Sequence, residues 1–174
     1  IALSAGLAGG ADVILLPEIA FKWEHIFHKI VERSRHGKRF SIICVAEGAR
    51  CPDCGEIVKA YDKKRTDAKQ LGGIGEYVGK KILDETDLET RVTVLGHLQR
   101  GGSPTPFDRI LATGFGVAAA RLVINGKFGR MVALHGNRVE SVPIEEAIAH
   151  LKLVTPETQK LLAARSVGTS FGDM

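Results

Sequence analysis

One short segment of the sequence brings together side chains that could bind a phosphate. His97, Gln99 and Arg100 occur within four residues, directly before Gly101 and Gly102. These side chains offer several hydrogen-bond donors and a fixed positive charge, a combination suited to a phosphate or a sugar phosphate. The two glycines allow the backbone to approach a ligand closely. We therefore take this segment as the first candidate for a binding site.

The segment follows an apolar, β-branched run, which we predict to be a strand from Arg91 to Gly96. Ligands of open α/β sheets bind outside the carboxyl ends of the strands, and His97 would stand at such an end. Arg91 would lie at the opposite end of the strand, about 20 Å from His97 at the usual rise per residue. Arg91 therefore cannot easily serve the same site within one subunit.

The same spacing also has a purely structural interpretation. Residues 100–104 could form only a turn, and Asp108 with Arg109 could form only the start of a helix. Short glycine motifs often occur without any function. Spacing alone therefore leaves both interpretations open.

The elements around this segment alternate between strands and helices. Continuous apolar runs are typical of strands that are buried on both faces, and apolar residues three or four apart predict helices. Together they predict an α/β fold with a layered, mostly parallel sheet and helices on both of its faces. In chain order the predicted elements are helix 1–8, strand 13–18, a helix from Trp23 that ends at Gly37, strand 41–46, a helix from Asp67 through Ile82, strand 91–96, helix 108–124, a hairpin of strands 131–134 and 139–142, and a helix after Pro143.

Two regions interrupt this alternation. We predict that residues 49–66 form a surface loop or insertion and that the tail, residues 155–174, is helical and then loose. Cys51 and Cys54 have the spacing of half a zinc site. A second cysteine pair is absent, and Cys44 belongs to a buried strand, so we predict no metal site in this chain.

The composition of the 174 residues excludes several classes of protein. Hydrophobic residues make up 44% and charged residues 25%, which is typical of a globular domain. The apolar runs are too short to span a membrane, and the net charge of +4 is too diffuse for a nucleic-acid interface. Three cysteines suit a reducing cytoplasm. The chain begins at Ile1 within an uncapped helical pattern, which predicts a piece of a larger protein.

The run from Arg91 to Arg109 resembles the signature of the phosphofructokinase family. It contains the core Gly-His-x-Gln-Arg-Gly-Gly-Ser-Pro and the closing Asp-Arg, which together form a long and specific pattern. Further segments are similar to the family in the same order, namely residues 8–12, 16–18, 45–47, 111–120 and 128–134. The resemblance covers essentially the whole chain, but only the C-terminal half of the enzyme.

This resemblance implies phosphoryl transfer from ATP or pyrophosphate to the 1-hydroxyl of fructose 6-phosphate, a step of glycolysis. It implies that the phosphate loop, the base and most of the Mg²⁺ site would precede Ile1, so that no catalytic residue is expected in this chain. A cytoplasmic homo-oligomer, dimer or tetramer, is also implied. The alternative is a non-catalytic, sugar-phosphate-binding regulatory module, and the sequence upstream of this chain would decide between the two.

The resemblance also implies roles for individual residues. Glu47 would accept hydrogen bonds from sugar hydroxyls, and His97, Leu98, Gln99 and Arg100 would line the sugar phosphate. Arg91 matches an arginine that, in this family, binds the 6-phosphate in the active site of a neighbouring subunit. This role would explain why Arg91 lies at the opposite end of the predicted strand from His97.

An effector site is the last expectation that the resemblance raises. It would involve Gly10, Asp12 and Lys38. Asp12 and His36 depart from the usual Glu and Lys, so regulation stays open. The insertion at 49–66 resembles that of the long, mixed-substrate branch of the family, and the phosphoryl donor is therefore open as well.

Overall fold

The computed structural model describes residues 1–50, 52–53, 58–61 and 69–174. The chain forms two compact units, unit 1 (Ile1–Val94 with Leu153–Met174) and unit 2 (Leu95–Lys152). No helix within these described ranges is long and apolar enough to cross a membrane. The elements in chain order are α1 (Ala2–Ala8), β1 (Val13–Leu15), α2 (Trp23–Arg35), β2 (Ile43–Val45), β3 (Val58–Tyr61), β4 (Lys69–Leu71), α3 (Ile74–Thr86), a 3₁₀ turn (Gly96–Arg100), α4 (Pro106–Ile124), β5 (Arg130–His135), β6 (Arg138–Pro143), α5 (Ile144–Ala149) and α6 (Gln159–Ser166).

Unit 1 is built around two parallel strands. β1 pairs with β2 in the register Val13 to Ile43, and all three residues of β1 are buried. The two runs predicted as strands are therefore confirmed, although the regular pairing is shorter than the predicted runs. A continuous apolar sequence was the correct signal because a strand that is covered on both faces has no polar side.

Helices cover both faces of this strand pair. Val13 and Leu15 belong to a buried cluster with residues of α2 and α3, including Ile26 and Val78. Ile14 belongs to a second buried cluster with residues of α1 and α6. Successive side chains of a strand point to opposite faces, so β1 separates two apolar layers. The α/β class with helices on both faces is confirmed.

The C-terminal tail differs from the prediction, because it is not loose after its helix. The Ile14 amide donates to the Ser170 carbonyl at 2.9 Å, and Ser170 pairs with Val13 as an isolated parallel bridge. Phe171 is fully buried, and Arg165 lies over its ring at 4.9 Å from the centroid. The tail thus takes the position of a further strand beside β1. Its sequence lacks a strand-length apolar run, and contacts with other segments order it: besides the pairing with β1, the Lys22 amide donates to the Gly172 carbonyl at 2.7 Å and Arg165 forms an ion pair with Asp173.

The region of the predicted insertion contains a strand pair. β3 lies inside the predicted loop 49–66, and it pairs antiparallel with β4, which lies where we predicted the start of a helix. α3 begins only at Ile74, because Gly73 has a φ of 95°, a left-handed conformation that a helix cannot include. Cys51 and Cys54 lie outside the described residues.

The predicted strand 91–96 is wrong. Residues 87–95 form neither helix nor strand, and the 3₁₀ turn begins at Gly96. A β-branched run becomes a strand only when its backbone pairs with a neighbour, and no described segment pairs with it. The 20 Å separation that we derived from a regular strand therefore has no structural basis.

Unit 2 contains the 3₁₀ turn, α4, a hairpin of β5 and β6, and α5. Thr105 and Asp108 form a capping box that starts α4 two residues earlier than predicted. The hairpin pairs from Arg130–Pro143 to His135–Arg138, with Gly136 in the left-handed region at φ 60°. The predicted hairpin and the helix after Pro143 are both confirmed.

Candidate functional site

Four of the six predicted substrate residues lie together in the 3₁₀ turn of unit 2. The Leu98 amide donates to the Leu95 carbonyl at 2.8 Å, and the Gly101 amide donates to the Leu98 carbonyl at 3.0 Å. Side chains three residues apart in a 3₁₀ turn lie above one another, so His97 and Arg100 share one side of the turn. All four side chains are exposed. The turn therefore presents an imidazole and a guanidinium to the same region of solvent.

Arg91 belongs to unit 1 and is held by a neighbour in the sequence. Its Nε and Nη2 both donate to Oε1 of Glu89, at 3.1 and 3.0 Å. The Arg91 side chain is 87% exposed and that of Glu89 78%. Arg91 is thus accessible to a ligand, but one edge of its guanidinium already has an anionic partner. The sequence analysis missed Glu89, because a spacing of two residues pairs an acid with a base only where the segment is anchored so that both side chains share a side.

Glu47 also belongs to unit 1 and lies in the turn that follows β2. The Ala46 amide donates to the Leu15 carbonyl, and the Ala49 amide closes the turn on the Ala46 carbonyl at 2.9 Å. Glu47 itself is exposed, and its carboxylate makes no hydrogen bond or ion pair within the described part of the chain. Its position at the carboxyl end of a parallel strand is the place where α/β proteins bind ligands.

A second group of charged residues surrounds a cleft of about 210 Å³ in unit 1. Asp12 lies in this cleft with its Oδ1 at 2.7 Å from Nη1 of Arg33, and its Oδ2 accepts a hydrogen bond from the Ile42 amide at 2.8 Å. Lys29 and Gly10 also line the cleft. The Nε of Arg33 is buried without a hydrogen-bond partner among the described residues. Asp12 is therefore fixed by two contacts inside its own unit.

This cleft contains only part of the predicted effector set. Gly10 and Asp12 line it, but Lys38 does not. Lys38 is exposed, and its amide donates to the Arg33 carbonyl just beyond the end of α2. The sequence analysis missed Lys29 and Arg33 as cleft residues. They are four residues apart on α2 and therefore share a face of that helix, which was the available signal.

Neither a metal centre nor an activated thiol is present among the described residues. No group of three or more His, Cys, Asp or Glu side chains there could hold a metal ion. The Mg²⁺ that the resemblance implies was expected mainly in the part of the enzyme that precedes Ile1. Burial raises the pKa of the Cys44 thiol, so this cysteine stays protonated at neutral pH and is a poor nucleophile.

Comparison with known proteins places this fold and these motifs in one class. The family model described as Phosphofructokinase matches residues 1–123, which include β1, β2, Glu47, Arg91 and the 3₁₀ turn. The chain therefore belongs to the phosphofructokinase family.

The individual relatives agree with the family match. The chain is 50% identical to the ATP-dependent 6-phosphofructokinase of Chloroflexus aurantiacus and 47% identical to the ATP-dependent 6-phosphofructokinase 1 of Nostoc sp., over 173 residues in each case. Each alignment covers 99% of this chain and 47% of the relative. The chain thus spans about half the length of the curated relatives it matches.

A solved structure shows the same similarity in three dimensions. The chain superimposes on the phosphofructokinase of Pichia pastoris in the T-state with a TM-score of 0.65 and 30% identity. The match covers 97% of this chain and 17% of that chain. The fold class is thereby confirmed by a protein of the same family.

Proposed function

We propose that this chain is the sugar-phosphate-binding part of an ATP-dependent 6-phosphofructokinase. The observation that carries the proposal is the 3₁₀ turn, which presents His97 and Arg100 on one side of a segment inside the family match. The donor would be ATP, because relatives at 45–50% identity are named ATP-dependent enzymes. Pyrophosphate, the other donor left open by the sequence, has no support among these relatives.

The residues of this chain would bind and orient the acceptor rather than perform the transfer. Arg100 and His97 would neutralise the 6-phosphate, and Glu47 would accept hydrogen bonds from sugar hydroxyls. Phosphoryl transfer depends mainly on positioning and charge neutralisation, so such contacts contribute directly to the rate. As a glycolytic enzyme, the protein would act in the cytoplasm.

The test uses a hybrid enzyme, in which this chain is joined to the part of the Chloroflexus aurantiacus relative that it does not match. We expect this hybrid enzyme to convert fructose 6-phosphate with ATP in a coupled assay. Arg100→Ala should raise the KM for fructose 6-phosphate about tenfold or more, because a hydrogen bond to a charged group contributes about 1.5–3 kcal/mol. Arg121→Ala, in the last turn of α4, removes the same charge and is the control.

The 174 residues alone should give no turnover and should bind fructose 6-phosphate no better than about millimolar. Calorimetry on the isolated chain provides this measurement. Micromolar binding without turnover in the hybrid enzyme would favour the alternative, a regulatory module that binds sugar phosphates. An Arg100→Ala effect equal to that of Arg121→Ala would contradict the proposed role of the turn.

We further propose that Arg91 serves the site of a neighbouring subunit in a homo-oligomer. The support is the family resemblance, because the strand geometry that first suggested it is absent. Mixing Arg91→Ala subunits with Arg100→Ala subunits tests it. A site with its own Arg100 and its neighbour's Arg91 would be intact in the mixed oligomer, so high-affinity activity should return. If mixed oligomers form without that recovery, the two arginines act within one subunit.

An effector role for Gly10, Asp12 and Lys38 stays a prediction. The cleft that holds Gly10 and Asp12 contains two cationic side chains, Lys29 and Arg33, which would suit an anionic ligand. The ion pair between Asp12 and Arg33 would have to be shared with or displaced by that ligand.

A further inference from the structure

The guanidinium of Arg91 is already paired with a carboxylate. Its Nε and Nη2 converge on one carboxylate oxygen of Glu89, at 3.1 and 3.0 Å. This Nε–Nη2 edge is one of the two edges with which an arginine makes parallel hydrogen bonds to a phosphate. Glu89 therefore occupies donor atoms that a phosphate on Arg91 would use.

The backbone around this pair explains why the two side chains meet. The Thr90 hydroxyl donates to the Gly79 carbonyl of α3 at 3.2 Å, and Val92 also lies against Gly79. Thr90 and Val92 thus face α3, whereas the side chains of Glu89 and Arg91 are 78% and 87% exposed and point into solvent. The segment is anchored on one side and presents an ion pair on the other.

We propose that Glu89 is a positioning residue that competes with the 6-phosphate of the substrate for Arg91. This inference rests on the proposed function, in which Arg91 binds that phosphate. Binding would require the guanidinium to exchange a carboxylate for a phosphate, and the displaced carboxylate would stay close to a dianion. Glu89 would therefore raise the substrate concentration at which Arg91 is engaged, and it would keep the exposed guanidinium from pairing with other anions.

The substitution Glu89→Gln in the hybrid enzyme tests the competition. It keeps the shape of the side chain and removes its charge. We expect the KM for fructose 6-phosphate to fall about two- to fivefold, the range expected for an exposed ion pair. The effect should fall on KM rather than kcat, because the contact is made in the bound state and the transition state alike.

A matched control separates this effect from a general change of charge. Glu85 forms an ion pair with half-buried Lys81 at 3.1 Å, also in unit 1, and its own side chain is exposed. Glu85→Gln removes the same charge and should leave the KM unchanged. The double variant supplies a second control, because Glu89→Gln should have no further effect when Arg91→Ala is already present.

The outcomes distinguish this inference from the proposed function. If Arg91→Ala leaves the KM unchanged, the role of Arg91 in substrate binding is wrong. If Arg91→Ala raises the KM but Glu89→Gln does not lower it, the competition is overturned and the role of Arg91 stands. A fall in KM that also occurs with Glu85→Gln, or in the Arg91→Ala background, would assign the effect to overall charge and would overturn the competition as well.

A binding measurement tests the competition without turnover. The Nε–H signal of Arg91 in the NMR spectrum of the 174-residue chain, assigned by its loss in Arg91→Lys, is followed as inorganic phosphate is added. In the Glu89→Gln variant the midpoint should shift to about two- to fivefold lower phosphate. An unchanged midpoint would contradict the competition.

Discussion

Unit 1 and unit 2 differ in how their apolar residues are used. Unit 1 has two clusters of buried side chains, one on each face of β1. Unit 2 has no buried residue, although α4 is rich in apolar residues around its whole circumference. Phe107 and Ile110, for example, are 64% and 74% exposed. Unit 1 is therefore organised around buried apolar clusters, whereas the described elements of unit 2 contact one another without such a cluster.

This difference shows that secondary structure and core formation are separable. The capping box, the hairpin register and the Gly136 turn specify the elements of unit 2 without a core. A helix that is apolar all round is typical of the interior of a larger assembly. The variants below test whether the two units respond to substitution as differently as their packing indicates.

The largest expected difference comes from removing a phenylalanine in each unit. Phe171→Ala should lower the free energy of unfolding of unit 1 by about 3–5 kcal/mol, because it leaves a cavity under the tail. Phe107→Ala in unit 2 should change stability by less than about 1 kcal/mol. Urea unfolding of both variants provides the measurement. Equal losses would contradict the view that only unit 1 has a core.

Two glycine-to-alanine substitutions should change stability in opposite directions. A Cβ on Gly6 would lie 2.6 Å from the Cδ1 of Ile14, so Gly6→Ala should destabilise unit 1 by about 1–3 kcal/mol. A Cβ on Gly116 in α4 would meet nothing within 4 Å, so Gly116→Ala should stabilise that helix by up to about 1 kcal/mol. Thermal unfolding followed by circular dichroism checks both signs. A stabilising Gly6→Ala would show that α1 can move away from β1.

A smaller effect is expected at the start of α4. The Thr105 side chain accepts a hydrogen bond from the Asp108 amide, and Thr105→Ala should destabilise the helix by about 1 kcal/mol. Hydrogen exchange of the amides in the first turn reports this loss directly. Thr113→Ala in the middle of the same helix is the control, because it removes a hydroxyl that bonds only the Arg109 carbonyl. If both variants exchange alike, the cap does not hold the helix.

The smallest expected effect is a pH dependence of the same cap. Hydrogen bonds from the Thr105 hydroxyl and amide lower the pKa of Asp108. A carboxyl group whose pKa is lowered by folding stabilises the folded state at pH values above its unfolded-state pKa, which is near 4. This stabilisation is lost as the pH falls through the folded-state pKa. Amide protection at the start of α4 should therefore be constant at neutral pH and decrease below about pH 4. Asp108→Asn should remove this dependence.

The predictable parts of the fold were those specified by local patterns. Continuous apolar runs located β1 and β2, and the turn residues Gly136 and Asn137 located the hairpin. The strand predicted at 91–96 failed because β-branched residues need a partner strand, which no local pattern reveals. The prediction of a loose tail failed for the same reason, because the burial of Phe171 depends on contacts with residues more than 140 positions earlier.

The candidate site was predictable to a similar degree. The glycine-flanked motif located the 3₁₀ turn and its exposed basic residues. The ion pairs of Asp12 with Arg33 and of Glu89 with Arg91 were not predicted, because side-chain pairing depends on how segments are anchored. Thr90, fixed to α3, determines that Glu89 and Arg91 share a side of the chain.

The bridge between Val13 and Ser170 has a consequence for the order of events during synthesis. β1 and β2 leave the ribosome about 125 residues before Ser170, which takes roughly 6–25 s at 5–20 residues per second. During that interval the edge of β1 that later pairs with Ser170 is open, and an unpaired strand edge is a template for aggregation. Unit 2 lies between these segments in the chain and is fully synthesised before Ser170, so its hairpin and helices form before the pairing with Ser170. The first-made strand of this chain is thus among the last to be completed.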